Sequence, residues 1–187
     1  LGGNHFVPAA RRNIDITTIV MNNNIYGMTS GQYSPMTPVG KLGTTAPYGT
    51  VERPFDLAKL AIASGATFVA RATSYHATLL EEVIEKALLN KGFSVVEAIS
   101  QCPTYYGRKN KIGAAVDMLN VFKETTVNVK AAAVMSPEKL EGKVLIGELY
   151  NQAAPVFAAE YQKLIDGVRR TYDNFKGEVR ECAQNSD

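Results

Sequence analysis

The feature that most constrains the fold is an apolar, β-branched run that ends abruptly in a polar segment containing glycine. The run extends from Ile14 to Met21 (IDITTIVM), and residues 22–32 (NNNIYGMTSGQ) follow it. A short apolar run of this composition predicts a buried strand. Open α/β sheets bind their ligands at the carboxyl ends of the strands. The sequence therefore predicts a ligand-binding loop directly after Met21.

The polar segment carries two kinds of binding group. The amides of residues 22–24 (Asn-Asn-Asn) and nearby backbone carbonyls are hard oxygen donors of the kind that Mg²⁺ prefers. Thr29, Ser30 and the N–H groups around Gly31 could hold a phosphate in a backbone nest. An ordinary Asx turn also explains three asparagines after a strand, and on spacing alone it is the simpler interpretation.

Helix and strand patterns alternate along the first part of the chain, which predicts a parallel sheet covered by helices on both faces. Asp56 is the expected N-cap of the second helix, and Thr78 with Glu81 forms a capping box before the third. In order, the predicted elements are a helix at His5–Arg12, a strand at Ile14–Met21, a helix at Leu57–Ser64, a strand at Thr67–Ala72, a helix from Thr78 to Asn90 and a strand at Phe93–Ile99.

Two stretches are less regular. Residues 22–54 are rich in Gly, Pro and hydroxyl side chains, which favours an ordered loop around a ligand over disorder. After Ser100 we expect a loop at Gln101–Asn110 and a helix at Gly113–Phe122, and the pattern from Val127 to Leu149 is ambiguous apart from a short strand at 144–146. A final helix from Pro155 towards Cys182 should break near Gly167 or Gly177.

Composition sets broad limits. The chain has 187 residues, 45% of them hydrophobic, which is enough for one core. The formal net charge of +2 argues neither for nor against nucleic acid, but the basic residues lack interleaved aromatic residues and a known fold signature, so we expect no nucleic-acid partner. No apolar run approaches the roughly 20 residues of a transmembrane helix, and no signal peptide is visible, so we expect no membrane association. Two distant cysteines are not a disulfide framework, which favours a reducing cytoplasm.

Four motifs resemble one family in their order and spacing. They are GGNH at residues 2–5, AARRN at residues 9–13, NN-x-IYGMT-x-GQ-x-SP-x-TP at residues 22–38 and QCPT at residues 101–104. The chain thus resembles the thiamine-diphosphate-binding β subunit of 2-oxoacid:ferredoxin oxidoreductases, most closely the 2-oxoglutarate branch. The resemblance extends from Leu1 to about Lys111 and weakens after that.

The resemblance implies an α/β fold, the parallel-sheet, pyrophosphate-binding domain of thiamine-diphosphate enzymes, truncated at its N-terminus. Residues 1–126 would form this partial domain, and residues 127–187 would be a C-terminal extension with a helix. The chain opens with Leu1 rather than Met. We therefore expect an upstream part that carries an acidic Gly-Asp-Gly segment and a Cys-x-x-Cys pair.

The resemblance implies a Mg²⁺ site on the polar segment. Its ligands here would be the side chain of Asn23 and the main-chain carbonyl of Ile25, together with an upstream Asp. Two protein oxygens cannot fill an octahedron, so the diphosphate, the Asp and water would complete it.

Cofactor-binding roles are also implied for two other groups of residues. Gly3, Asn4 and His5 would lie beside the cofactor, and His5 is the catalytic candidate, although a lone His is more often structural. The second group is the turn that follows Ile25.

In that turn, Gly27 and Thr29 would contact the diphosphate, and Met28 and Ser30 would face the substrate. Simple loop filling is the alternative for all four. The family often has Gly or Lys in the place of Ser30, and a serine pairs only weakly with a distal carboxylate, so the substrate stays open.

Cys102 is implied to be the fourth thiolate of a [4Fe–4S] cluster whose other three ligands lie upstream. The alternative is a small buried residue. Arg108, Lys109 and Lys111 follow this cysteine. They could steer an acidic ferredoxin, although a solvated surface is the simpler explanation.

The implied function is oxidative decarboxylation of a 2-oxoacid, 2-oxoglutarate by preference, to an acyl-coenzyme A with electrons passed to ferredoxin. Thiamine diphosphate, Mg²⁺ and a [4Fe–4S] cluster would be the cofactors. An α subunit, and γ and δ subunits in some arrangements, would be partners. The alternatives are a subunit acting on pyruvate or branched-chain 2-oxoacids, a redox-free decarboxylase or synthase, and a non-catalytic interaction remnant of the fold.

Overall fold

The computed structural model describes residues 2–184, with side chains to residue 176. The helices are α1 (Gly3–Arg11), α2 (Leu57–Ala63), α3 (Ala77–Leu89), α4 (Ala115–Thr125), α5 (Val129–Ala132), α6 (Pro137–Leu140) and α7 (Phe157–Gln184). The strands are β1 (Ile16–Asn22), β2 (Ile25–Tyr26), β3 (Gln32–Tyr33), β4 (Phe68–Thr73), β5 (Phe93–Ile99), β6 (Thr126–Asn128) and β7 (Val144–Asn151).

The main sheet has five strands in the order β1-β5-β4-β7-β6. Strands β1, β5 and β4 are parallel, whereas β7 runs antiparallel to β4 and β6 is parallel to β7. The predicted α/β fold with a mainly parallel sheet is therefore confirmed. Because β7 pairs with β4, the sheet contains strands from both sides of the division proposed at residue 126.

Helices cover both faces of this sheet because alternate strand residues point to opposite sides. Val95 of β5 packs with α1 and α2, and its neighbour Val96 packs with α3. On the first face, the rings of Phe6 and Phe93 meet edge to face at 5.5 Å between centroids. On the second face, Val83 and Ala87 are the buried residues of α3.

Strand β1 is more exposed than its sequence predicts. Its side chains Ile19 and Met21 are 42% and 70% exposed. Within the described residues β5 is its neighbour in the sheet, so β1 forms an edge. The prediction of a buried strand is therefore wrong, because an apolar run reports on side-chain character and not on the presence of a covering partner.

The start of α3 also differs from the prediction. The helix begins at Ala77 with His76 in the N-cap position, so the capping box at Thr78 is wrong. A tight turn causes the earlier start, since the N–H of His76 donates to the carbonyl of Thr73 at 2.9 Å and its Nδ1 lies 2.8 Å from Thr73 Oγ1. Burial lowers the pKa of His76 below its usual range.

Two further segments are more helical than expected. Residues Pro103–Gly107 form a π-helical turn inside the predicted loop. Helix α7 is continuous, so the break predicted at Gly167 or Gly177 is wrong. A glycine costs a helix only about 1 kcal/mol, which is less than the hydrogen bonds that a break would remove. The side chain of Cys182 lies outside the described side chains.

The long segment after β1 is held by hydrogen bonds. Strands β2 and β3 form a short antiparallel hairpin. Further along, the N–H of Phe55 donates to the carbonyl of Pro35 at 2.9 Å, and the N–H of Gly40 donates to the carbonyl of Thr50 at 2.7 Å. The segment thus folds back over the carboxyl end of β1. Among the described residues, no helix has the length and apolarity needed to span a membrane.

Candidate functional site

The first turn of α1 and the turn after β1 border one cavity of about 500 Å³. Its polar wall contains Gly3, Asn22 and Asn23, and the turn continues into Ile25. The apolar wall comes from the helices, the strands and the long segment after β3. It includes Phe6, Met21, Tyr26, Met36, Phe55 and Leu57. An amide-rich turn and a helix N-terminus therefore meet at one opening.

The N-terminus of α1 presents bare backbone to this cavity. Gly2 is the N-cap and makes no side-chain hydrogen bond to the helix. Gly3 lines the cavity, and a Cβ atom at this position would meet nothing within 4 Å, so there is open space beside the backbone at the start of the helix. The positive end of the helix dipole and unpaired N–H groups favour an anion at such a position.

The turn after β1 is a double Asx turn. Oδ1 of Asn22 accepts from the N–H of Asn24 at 3.0 Å, and Oδ1 of Asn23 accepts from the N–H of Ile25 at 3.2 Å. Asn24 adopts a left-handed conformation with φ of 61°. The Asx-turn interpretation is therefore correct for the geometry. It does not exclude a metal, because a carboxamide oxygen has a second lone pair.

Neighbouring elements contact Asn24 on both its backbone and its side chain. Oγ1 of Thr37 donates to the carbonyl of Asn24 at 2.5 Å. Burial raises the pKa of Tyr106 to about 12, and the neighbouring Asn24 side chain opposes part of this rise. The tyrosine is therefore neutral at physiological pH.

A chain of hydrogen-bonded side chains, one of them the neutral amide of Asn22 and the others charged, crosses three strands behind the turn. Nδ2 of Asn22 donates to Oε1 of Glu97 at 2.7 Å, and Nε of Arg71 donates to Oε2 of the same carboxylate at 2.7 Å. Nη2 of Arg71 also donates to Oδ1 of Asp56 at 2.9 Å. Asp56 accepts from the N–H of Lys59 and thereby caps α2.

The charges in this chain stabilise one another. Burial by itself lowers the pKa of Arg71, but the Glu97 and Asp56 carboxylates outweigh it and hold this pKa above its usual value. Burial likewise raises the pKa of Asp56, and the Lys59 N–H and the Arg71 guanidinium together bring it below its usual range. Both shifts favour the charged forms of Arg71 and Asp56, and Arg71 forms ion pairs with Asp56 and with Glu97. They border a second cavity of about 440 Å³ that shares Asn22 and Asn23 with the first.

The residues predicted for the diphosphate and substrate lie in an exposed turn between β2 and β3. Gly27 begins this turn, Met28 is fully exposed, and Ser30 has a φ of 86°. Thr29 Oγ1 donates to Gln32 Oε1 at 2.6 Å, which braces the turn internally.

Cys102 lies against the start of this turn. It is buried and packs with Ile25, Tyr106 and Met118. A Cβ atom at Gly27 would lie 3.5 Å from Cys102 Sγ and 3.7 Å from Asn23 Nδ2. The thiol is therefore next to the turn that carries Asn23, with no larger side chain between them at position 27.

Comparison with known proteins shows the family to which the chain belongs. Residues 1–98 match the family model described as thiamine pyrophosphate enzyme, C-terminal TPP binding domain. The chain is a member of this thiamine pyrophosphate enzyme family.

Individual relatives narrow the likeness to one branch of the thiamine pyrophosphate enzymes. The chain is 50% identical over 166 residues to the 2-oxoglutarate synthase subunit KorB of Methanothermobacter thermautotrophicus, covering 89% of this chain and 58% of that protein. It is 50% identical over 169 residues to the KorB subunit of Methanocaldococcus jannaschii, covering 90% and 63%. The chain thus spans about three fifths of the length of these relatives, and the predicted resemblance is confirmed.

One solved structure has the same fold. It is the 2-oxoglutarate:ferredoxin oxidoreductase from Magnetococcus marinus with 2-oxoglutarate, coenzyme A and succinyl-CoA bound. The TM-score is 0.77 at 29% identity, and the match covers 89% of this chain and 57% of that chain.

The donor set at the cavity fits the diphosphate end of the thiamine pyrophosphate cofactor. The N-terminus of α1, which has no side-chain cap, suits a phosphate, and the oxygen of Asn23 suits the metal that accompanies it. Among the described side chains, no cluster of three or more His, Cys, Asp and Glu could hold a metal by itself. A cation here would therefore need the diphosphate or further ligands.

The structure brings together some of the predicted residues and not others. Gly3, Asn23 and Ile25 border the same cavity. Gly27 adjoins Asn23 and Cys102 adjoins Gly27, but Met28, Thr29 and Ser30 lie on the exposed turn. Asn4 and His5 follow Gly3 on α1 and are exposed.

Sequence reasoning missed Arg71, Glu97 and the second role of Asp56. A signal was present, since Arg71 and Glu97 are single charged residues inside the apolar runs of β4 and β5. A charge within a strand that is buried on both faces requires a partner.

Proposed function

We propose that this chain is part of the β subunit of a 2-oxoglutarate:ferredoxin oxidoreductase, in which it binds the diphosphate and Mg²⁺ of thiamine diphosphate. One observation carries the proposal. The N-terminus of α1 and the double Asx turn after β1 open onto the same cavity of about 500 Å³. A helix N-terminus favours an anion such as the diphosphate, and the hard oxygen donors beside it suit the Mg²⁺ ion that the diphosphate binds.

Each part of the polar wall has a distinct role in this proposal. Asn23 Oδ1 and the carbonyl of Ile25 hold Mg²⁺, and the N–H groups of Gly3 and Asn4 receive the diphosphate. His5 follows them on α1 as the catalytic candidate on the cofactor side. When bound, thiamine diphosphate supplies a nucleophilic carbon and an electron sink for decarboxylation.

The exposed turn would complete the site towards a partner subunit. Gly27 and Thr29 lie next to the diphosphate, and Met28 and Ser30 face the substrate. The full exposure of Met28 supports this assignment, because a fully exposed apolar side chain beside a binding site is suited to contact with a ligand or an α subunit.

Cys102 is proposed as one thiolate of a [4Fe–4S] cluster, with the other three supplied from outside this chain. Its burial and its contact with the start of the exposed turn support that role, since electrons must leave the cofactor over a short path. Ferredoxin would be the acceptor, and Arg108 and Lys109 lie near this thiol in sequence. A free thiol is compatible with the reducing cytoplasm where we place the enzyme.

The names of the relatives support 2-oxoglutarate as the substrate and coenzyme A as the acyl acceptor. Another 2-oxoacid is the second candidate. It rests on 43% identity over 105 residues to a 2-oxoacid:ferredoxin oxidoreductase β subunit of Saccharolobus solfataricus, covering 56% of this chain and 34% of that protein. Turnover with 2-oxoglutarate, pyruvate and branched-chain 2-oxoacids would separate the two.

Isothermal titration calorimetry of thiamine diphosphate in the presence and absence of Mg²⁺ tests the proposal, using the full-length subunit purified with its partner subunits. We expect Asn23→Ala to weaken Mg²⁺-dependent binding at least about tenfold, or about 1.4 kcal/mol. Asn151→Ala is the matched control, because this asparagine is exposed at the far end of β7. Wild-type protein that binds no cofactor, or Asn23→Ala that binds equally well, would contradict the assignment and favour a non-catalytic module.

A further inference from the structure

Glu97 is a buried carboxylate that the proposed cofactor chemistry does not use. It lies on β5 at 3% exposure, in register with Val20 of β1 on one side and Arg71 of β4 on the other. Its two oxygens have different partners, since Oε1 accepts from Asn22 and Oε2 accepts from Arg71. The carboxylate therefore connects the end of β1 to a fixed cation two strands away.

Stability alone is a weak explanation for this ion pair. Burying two charges costs desolvation that their attraction only partly repays, and apolar replacements of buried pairs are often as stable or more stable. Buried polar groups can instead select one arrangement of the groups around them. At this position, the group with a choice of arrangement is the carboxamide of Asn22.

A carboxamide can present either its oxygen or its NH₂ group to a neighbour, and Glu97 decides which. The Glu97 carboxylate is ion-paired with Arg71 at 2.7 Å and so acts as an acceptor, which means that the NH₂ group of Asn22 must face it. The oxygen of Asn22 is then left to accept from the N–H of Asn24 at 3.0 Å. If the Asn22 carboxamide were turned over, its NH₂ group would face the N–H of Asn24, and both of these groups are donors.

The backbone of Asn24 is left-handed, which is an unfavourable conformation for a residue other than glycine. The hydrogen bond from its N–H to Asn22 helps to hold it in this conformation. Asn24 separates Asn23 from Ile25, so its conformation sets where the Asn23 oxygen and the Ile25 carbonyl lie relative to each other. We infer that Glu97, held by Arg71, is a positioning residue that orients the Asn22 carboxamide and thereby shapes the metal-binding turn. This inference rests on the proposed function.

Glu97→Gln tests the inference because it changes donors and acceptors with little change in shape. Arg71 still requires an acceptor, so the new amide oxygen turns to the guanidinium and the new NH₂ group faces Asn22. The Asn22 carboxamide must then turn over, which breaks its bond to Asn24. We expect Mg²⁺-dependent binding of thiamine diphosphate to weaken about 10–100-fold, as is typical when a group behind a metal ligand is lost.

A second substitution should reverse the loss. In Asn22→Asp combined with Glu97→Gln, the new carboxylate at position 22 accepts from the glutamine NH₂ group and also from the N–H of Asn24. Asn22→Asp alone places two carboxylates together and should also weaken binding. We therefore expect both single variants to bind worse than the double variant. A merely structural role for Glu97 would not produce this pattern.

The measurement is calorimetry of Mg²⁺ with thiamine diphosphate on the full-length protein with its partner subunits, together with thermal unfolding without cofactor as a check on folding. Wild-type affinity in Glu97→Gln, or a double variant no better than the single variants, overturns the inference while leaving the proposed function standing. Wild-type protein that binds no cofactor overturns the proposed function and this inference with it. Should Glu97→Gln fail to fold, the comparison of Asn22→Asp with the double variant decides in the same way.

Discussion

Asn13 is the residue whose replacement should damage the fold most for the size of the change. It is buried, follows α1 and has a left-handed φ of 49°. Its Oδ1 accepts from the N–H of Phe93 at 2.7 Å, and its Nδ2 donates to the carbonyls of Ala154 and Pro155 at 3.0 Å each. One side chain thus ties α1, β5 and the segment before α7 together.

The expected loss for Asn13→Ala is about 4 kcal/mol in the free energy of unfolding. The side chain also accepts a longer hydrogen bond from Thr67 Oγ1 at 3.3 Å, and the three hydrogen bonds of 3.0 Å or less contribute about 1 kcal/mol each after exchange with water. Alanine at a positive φ costs about 1 kcal/mol more than glycine does. Asn13→Gly should therefore lose about 3 kcal/mol, because it removes the hydrogen bonds and avoids the backbone strain.

Urea unfolding followed by far-ultraviolet circular dichroism measures these differences. Lys111 is the matched control, because it is exposed and has a similar φ of 53°. Lys111→Ala should cost about 1 kcal/mol relative to Lys111→Gly and nothing further. If Asn13→Ala loses no more than Lys111→Ala, or if Asn13→Gly is as stable as wild type, then the hydrogen bonds of Asn13 do not hold these elements together.

Three further predictions concern other parts of the chain. Tyr106→Phe should lose less stability than wild type as the pH rises from 10 to about 12, because the buried phenol must ionise over that range in the wild-type protein. The pKa of Tyr106 is raised in the folded protein, so its contribution to the free energy of unfolding is complete below pH 10 and disappears as the pH rises through about 12. Urea unfolding at several pH values measures this difference. An equal loss of stability with rising pH in wild type and Tyr106→Phe would contradict it. Gly31→Ala should destabilise the chain by at least about 1 kcal/mol, because φ is 87° and its Cβ would lie 2.7 Å from Tyr105 Cδ1; an unchanged urea midpoint would refute this steric argument. Gly167→Ala should raise the helicity of α7 and stabilise it by about 1 kcal/mol, since a Cβ there meets nothing within 4 Å; a loss of circular dichroism signal would show that this position is not a free helical surface.

Local chemistry made several features predictable. Asp56 caps α2 as expected, because the capping preference depends only on the side chain and the N–H groups that follow it. The run Phe93–Ile99 is a strand with the predicted bounds, since its buried, β-branched character is visible without its neighbours. The turn after β1 could be predicted in the same way, because a strand that runs into asparagines and glycine is expected to turn there.

Other local signals gave wrong predictions because contacts with neighbouring residues or strands had a larger effect. Thr78 has the right spacing for a capping box, but the hydrogen bonds between Thr73 and His76 start α3 earlier. The apolar run of β1 indicates burial, but its position at the edge of the sheet leaves Met21 exposed. Gly167 weakens a helix by propensity, but one residue does not outweigh the surrounding hydrogen bonds.

What the sequence by itself determined is the order of the main helices and strands as far as β5 and the place of the turn after β1, since periodicity, caps and turn residues act over a few neighbouring residues. Only the tertiary structure decided that β7 enters the sheet antiparallel to β4 and that Glu97 stands between Asn22 and Arg71. Asn22 and Glu97 are 75 residues apart in the chain, and strand pairing alone brings them within 2.7 Å. Contacts of this kind depend on which strands become neighbours, and that choice is made by packing of the whole sheet rather than by any short segment.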